Sequence, residues 1–336
     1  MRVIDGHNDA LLRAYEAGDD GGGLLVAGDG AVDLPAALAG DLAAGLFAVF
    51  SPSPGKGRPA AAPPLPWEDA VRVAAGVAAR AFTFARASGG AVRLVRDADD
   101  LAACVAGEAL GLVLHIEGAE AIDPHLQALE LWYAAGLRSL GPVWSRPNAF
   151  GEGVPFAFPS SPDTGRGLTK AGVALVRRCA QLGIAIDLSH VNEHGFWDAA
   201  AALDGAPLIA SHSGVHALCE ASRNLTDRQL LAIAGSGGLV GIAFACPFLR
   251  ADGGDDPDTP LSVLVEHVRY VADLVGVEHV ALGSDFDGAT MPAALRSARE
   301  LPLLVEALRG GGFTEAELAL ICHGNWQRVL AGCWRA

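Results

Sequence analysis

Apolar residues fall along this chain in short, nearly continuous runs, each closed by a polar or glycine-rich break. Eight runs have the length and content of strands: Val3–His7, Gly45–Phe50, Gly111–Glu117, Leu137–Trp144, Ile184–His190, Pro207–His212, Leu239–Ala245 and His279–Asp285. Continuous rather than alternating apolar runs mark strands covered on both faces, as in parallel sheets. Helical recurrence fills the intervals. Trp67–Ala87 is rich in alanine and follows Pro66, Thr169–Leu182 stops at Gly183, Leu261–Val275 stops at Gly276, and Thr314 to Glu317 reads as a capping box. Strands alternating with helices predict βαβ units, and eight of them predict an α/β chain of (β/α)8 TIM-barrel type. No repeat or linker divides the chain, so residues 1–336 are read as one domain.

Three stretches escape both patterns: Ser51–Pro66, Asn148–Gly167 and Ala251–Pro260, all rich in Gly, Pro or Asp. Each follows a strand, so each is expected on the face where barrel enzymes carry their sites, as a wall or lid of a pocket. Composition narrows the partners. A net charge of −15 at pH 7 argues against nucleic acid and anionic membranes. No apolar run approaches the roughly 20 residues of a membrane span. The motif beginning at Asp5 leaves no room for a signal peptide ahead of it, and six scattered cysteines read as buried thiols, so a cytoplasmic location is expected.

The strand ends carry the chemistry. His7 and Asp9, two apart, point the same way from an extended segment and offer a nitrogen and an oxygen to one ion. Alone, this pair would serve equally as a turn with a capping aspartate. Glu117, His190 and His212 close three other runs, and a glutamate between two cations can bridge them. Asp285 ends the eighth run and is the candidate for proton transfer. Asp287, at i+2, is read as a support of the ligands, and His115, two before Glu117, as a support or a core residue rather than a ligand.

The motifs DGHND, HIEG, DLSH, ASHS, SRN, GSDFDG and GNWQRVL occur in the order that resembles the renal (membrane) dipeptidase family, from Asp5 to Leu330. That family belongs to the amidohydrolase-type metal-dependent barrels and consists of binuclear zinc dipeptidases, some of which open β-lactams. The resemblance implies two zinc ions per chain, His7 and Asp9 on the first, His190 and His212 on the second, and Glu117 bridging. It also implies hydrolysis of a dipeptide by a hydroxide lying between the ions. Asp285 matches the acid–base aspartate, and Arg223 of SRN matches the arginine that receives the substrate's carboxylate. Homodimers are common in the family.

One strand end departs from the family. Trp144 stands where a histidine is expected to stabilise the oxyanion, and an indole donates one hydrogen bond without carrying charge. Arg146 or a group from Asn148–Gly167 is a candidate replacement. Two other readings therefore accompany the dipeptidase: the same metal site acting on N-acyl amino acids, lactams or other small amides through a pocket containing Trp144, and a catalytically silent ligand-binding barrel. Other divalent metals suit the same ligands.

Overall fold

A computed structural model describes residues 1–53 and 63–334. The expected loop Ser51–Pro66 therefore lies partly outside the described residues. Among the described residues there are nine strands: β1 (Val3–Asn8), β2 (Leu42–Phe50), β3 (Val92–Leu94), β4 (Leu110–Glu117), β5 (Leu137–Gly141), β6 (Ala185–Ile186), β7 (Ile209–Ser213), β8 (Leu239–Ile242) and β9 (Val280–Leu282). All pairings between named strands are parallel. One sheet runs β1-β2-β4-β5-β6, and a second runs β7-β8-β9. Isolated parallel bridges join Asp187 to Ile209 and Asn8 to Phe286, linking both margins of one sheet to the other.

β3 has no counterpart among the eight expected runs. At three residues, with only Val92 buried, it is too short to read as an apolar run. It pairs with Leu110–Leu112 of β4, and β5 takes over from Leu114. Several strands also end earlier than expected. β5 stops at Gly141 because Pro142 has no N–H to give the ladder. Beyond Ile242 and Leu282 the chain leaves the regular ladder but stays bonded: Phe244 N donates to Ser284 O, and Asp285 N donates to His7 O. These irregular C-terminal tips carry the candidate residues.

The helices start and stop where their caps dictate. Thr169 accepts from Gly172 N at the start of Lys170–Leu182, and Gly183 closes it in the left-handed region at φ 72°. Thr314 and Glu317 form the capping box at the head of Glu315–Ala319. Inside the strands, Ile4, Leu46, Val113, Ala185, Ile209, Leu239 and Ala281 form an apolar layer with Trp326 of helix Asn325–Cys333. Trp326 Nε1 donates to Leu282 O and Asn325 Nδ2 to Val280 O, which seats this helix under the strands. The interior thus grades from apolar at that end to His115, Asp187 and Ser211 nearer the strand tips, all buried. The six cysteines are free, and no helix among the described residues is long and apolar enough to cross a membrane.

Candidate metal centre

The tips of β1, β4 and β7, with the segments after β6 and β9, bring His7, Asp9, Glu117, His190, His212 and Asp285 to one buried place. Asp9 occupies the N-cap position of helix Ala10–Glu16 yet makes no capping bond. Its Oδ1 is buried without a hydrogen-bond partner. The carboxylate is therefore turned away from the ordinary use of an N-cap aspartate and toward His7, whose Nε2 is 3.6 Å from Asp9 Oδ2.

Glu117 Oε1 is the focus. It lies 2.9 Å from His190 Nε2, 3.4 Å from His212 Nε2 and 3.6 Å from His7 Nε2. The Nε2 atoms of His190 and His212 are only 3.1 Å apart, and the rings of His7 and His212 have centroids 3.9 Å apart. Neither ring nitrogen of His7 has a hydrogen-bond partner. An unsatisfied buried polar atom costs free energy, and an imidazole nitrogen so placed is free to hold a cation.

Among the described residues two overlapping donor sets emerge, His7 with Glu117 and His212, and His7 with Asp9 and Asp285, each with its donor atoms within 4.8 Å of one another. A mixture of imidazole nitrogen and carboxylate oxygen suits zinc and its neighbours. The titration behaviour agrees. Burial pushes Glu117 up to about 8. Burial alone would lower His7, but Glu117, Asp9 and Asp285 outweigh it and raise it to about 10. His212, buried beside other cationic groups, is lowered well below its ordinary value.

The loop after β9 holds its two aspartates by backbone shape. Asp285 and Asp287 have φ of 63° and 65°, the left-handed region that aspartate tolerates better than most residues. Gly288 then passes so close that a Cβ there would overlap Asp9 Oδ2 and stand 2.5 Å from Asp285 Oδ1. Gly288→Ala is accordingly expected to lower metal content, read by metal analysis after purification without chelator; full metal content would contradict it. Asp287 lines the same cavity but is engaged elsewhere, with Arg13 Nε at 3.1 Å and Ala31 N at 2.8 Å.

Arg223 is buried and donates from Nη2 to His212 O at 3.1 Å and from Nη1 to Ser189 O, with its guanidinium 5.3 Å over the Phe248 ring. It lines a cavity of about 220 Å³ next to the one holding Glu117, Asp9 and Asp285, which measures about 180 Å³; Phe156 and Phe248 border both. Trp144 forms an aromatic wall of the first cavity with Phe50 and Phe156, ring centroids 5.0 and 5.4 Å away. Arg146 is spent on structure: it meets Glu120 at 2.7 Å, Ser51 O at 2.6 Å and Ser53 Oγ at 3.0 Å. The Asn148–Gly167 stretch brings Phe156 into the cavity, and Ala251–Pro260 brings Gly253 and Asp255 to the second one.

Four polar residues that steady this cluster carried no role in the sequence reading: Asp5, Ser145, Asp187 and Ser211. Asp5 accepts from Ser284 N at 2.6 Å and from Ser284 Oγ at 3.0 Å, tying the β9 tip to β1; burial raises it to about 6. Ser145 Oγ lies 2.8 Å from His190 Nδ1, and Ser211 Oγ lies 2.8 Å from His212 Nδ1. Asp187 keeps a pKa below its ordinary value: burial raises it, but His115 and the donors of Ser189 and Ser211 outweigh that. Asp5, Asp187 and Ser211 each stand within three residues of a metal-capable histidine in the same motif, a signal present in DGH, DLSH and SH.

Four similarities to known proteins bear on this geometry. The sequence profile described as Membrane dipeptidase (Peptidase family M19) matches residues 1–333. A Rhodobacter sphaeroides metallo peptidase, solved with a phosphinate mimic of the dipeptide L-Ala-D-Ala, is similar at 42% identity and TM-score 0.96, over 99% of each chain. A structure described as dipeptidase AC, a metallo peptidase of family M19, shares 44% identity at TM-score 0.96, over 100% of this chain and 99% of that one. An uncharacterized protein from the pqqA 5′ region of Klebsiella pneumoniae is 48% identical over 248 residues, which is 74% of this chain and 91% of that protein.

Proposed function

This chain belongs to the membrane dipeptidase family and is a metal-dependent dipeptidase; from that premise we propose how its own residues do the work. His7 and Asp9 would hold one divalent ion, His190 and His212 would hold a second, and Glu117 would serve both. Both ions are zinc in this reading. Bound there, the ions would polarise the peptide carbonyl and make a water acidic enough to attack it near neutral pH. The observation that carries the assignment is Glu117 Oε1 facing three imidazole Nε2 atoms within 3.6 Å.

The remaining steps belong to side chains. Arg223 receives the dipeptide's carboxylate, supported by its burial beside His190 and its place on the wall of the second cavity. Asp285 takes a proton from the attacking water and returns it to the leaving amine. The cavity walls Trp144, Phe50 and Phe156 exclude water from the reacting carbonyl and limit substrates to small ones. We further read the two sheets as one eight-stranded (β/α)8 barrel within a single domain over residues 1–336, supported by the bridges at Asp187–Ile209 and Asn8–Phe286. A cytoplasmic location is supported by the six free thiols, which suit a reducing compartment.

A panel of dipeptides with L and D C-terminal residues, run on zinc-loaded protein beside N-acyl amino acids, tests the substrate. Turnover of dipeptides is expected, and none at any metal load sinks the reading. The apolar wall at Trp144 favours a second reading, in which N-acyl amino acids or lactams turn over faster, and the same panel decides between them. Arg223→Lys should raise KM roughly 10-fold or more with a smaller effect on kcat, because a point charge replaces a two-pronged donor. Equal losses in kcat and kcat/KM would place Arg223 at the transition state instead.

A further inference from the structure

The Asp187 carboxylate sits at the centre of a donor network that is fixed atom by atom. Its Oδ1 accepts from Ser189 N at 3.1 Å, Ser189 Oγ at 2.6 Å and Ser211 N at 2.7 Å. Its Oδ2 accepts from Ser211 Oγ at 2.6 Å. An ionised carboxylate can only accept, so it takes the single hydroxyl proton of Ser211. Ser211 Oγ, 2.8 Å from His212 Nδ1, is then left with lone pairs alone toward the ring, and Nδ1 must carry the proton. His212 Nε2 is thereby left as a bare lone pair facing Glu117 Oε1 at 3.4 Å.

We propose that Asp187 and Ser211 are positioning residues that fix His212 as the Nδ1–H tautomer and so present Nε2 to the metal. The proposal rests on His212 being a metal ligand in the reading above. At the other histidine of that ion, Ser145 Oγ lies 2.8 Å from His190 Nδ1.

Asp187→Asn makes the relay run backwards. Two backbone N–H groups, of Ser189 and Ser211, point at the Oδ1 position, so the amide oxygen must stay there and the NH2 must replace Oδ2. That NH2 donates to Ser211 Oγ, and the hydroxyl proton must turn elsewhere. His212 Nδ1 at 2.8 Å is a nearer and more basic acceptor than Ser189 Oγ at 3.2 Å. The proton on the ring then moves to Nε2, the atom the metal needs.

The test uses the full chain. Imidazole ¹⁵N spectra of the metal-free protein, assigned against His212→Asn, should show His212 protonated at Nδ1 in the wild type and at Nε2 in Asp187→Asn. Zinc affinity by competition with a chromophoric chelator should fall about 10- to 100-fold. Removing the misdirected hydroxyl should restore part of it, so Asp187→Asn/Ser211→Ala should bind zinc more tightly than Asp187→Asn alone. A purely structural role for Asp187 would make the double variant weaker, and that result, or an unchanged Nδ1–H ring in Asp187→Asn, overturns the proposal. If thermal melts show that Asp187→Asn does not fold, Ser211→Ala carries the test: His212 should populate both tautomers, and a sole Nδ1–H form would refute the relay. A wild type that binds zinc but hydrolyses no dipeptide would sink the substrate reading and leave this one standing.

Discussion

Glu117→Gln is expected to lower dipeptide turnover by on the order of 10³-fold and to reduce bound metal from two ions to one or fewer. The change is nearly isosteric, so the loss comes from charge and from donor chemistry. Three Nε2 atoms face Glu117 Oε1. An amide can offer its oxygen to one ion, but its NH2 cannot ligate a second and repels it. Metal analysis after purification without chelator, beside kinetics on zinc-loaded protein, reads both effects. Two ions retained with full turnover would remove Glu117 from the bridge.

The same substitution has a signature in the chelated protein. Burial pushes Glu117 up to about 8, and His7, despite burial, is pushed up to about 10 by the carboxylates around it. Both bind a proton more tightly folded than unfolded. Their contribution to stability is therefore full at low pH and is lost as pH rises through the raised values. His115, lowered to about 4 by burial, and His212, lowered likewise, have the opposite sign but act only below their ordinary value of 6.5. Between pH 6.5 and 8 the metal-free wild type should melt at progressively lower temperature, and Glu117→Gln should flatten that decline. A wild-type melting temperature that rises across this window contradicts the assignment.

The strand ends were legible because a parallel strand buried on both faces is a continuous apolar run, and a His, Asp or Glu terminating it is conspicuous. The helix limits at Gly183 and at Thr314 were legible because caps are local chemistry. β3 was not, since Val92–Leu94 is held by pairing with β4 rather than by its own pattern. Asp9 was ambiguous in sequence, because an N-cap aspartate and a metal ligand look alike until the missing capping bond is seen. Arg146 illustrates the converse. A lone arginine after a strand invites a role at the oxyanion, and only tertiary contacts with Glu120 and Ser51 reveal that its guanidinium is committed. Ser145, the serine at His190, comes from 45 residues away, so local spacing carries no sign of it.

Asp285→Asn should reduce kcat roughly 10²- to 10⁴-fold, the usual worth of a positioned acid–base group, while KM changes little. The backbone makes this a clean substitution. Residue 285 holds φ at 63°, and asparagine accepts the left-handed region as readily as aspartate does. The loop should therefore keep its path past Gly288 and Asp9, and only the ability to take a proton is lost. Asp285 also lies in a donor set with His7 and Asp9, so it could instead be a ligand. Metal content separates the two roles: a shuttle leaves two ions bound in Asp285→Asn, whereas a ligand gives up one with the activity. Asp287→Asn is the matched control, equally left-handed at φ 65° but committed to Arg13 and the Ala31 amide. Its kcat should stay within about 10-fold of wild type, because the proton path does not run through it. A larger loss at 287 than at 285 would exchange their roles and move the proton path to the Arg13 side of the cavity.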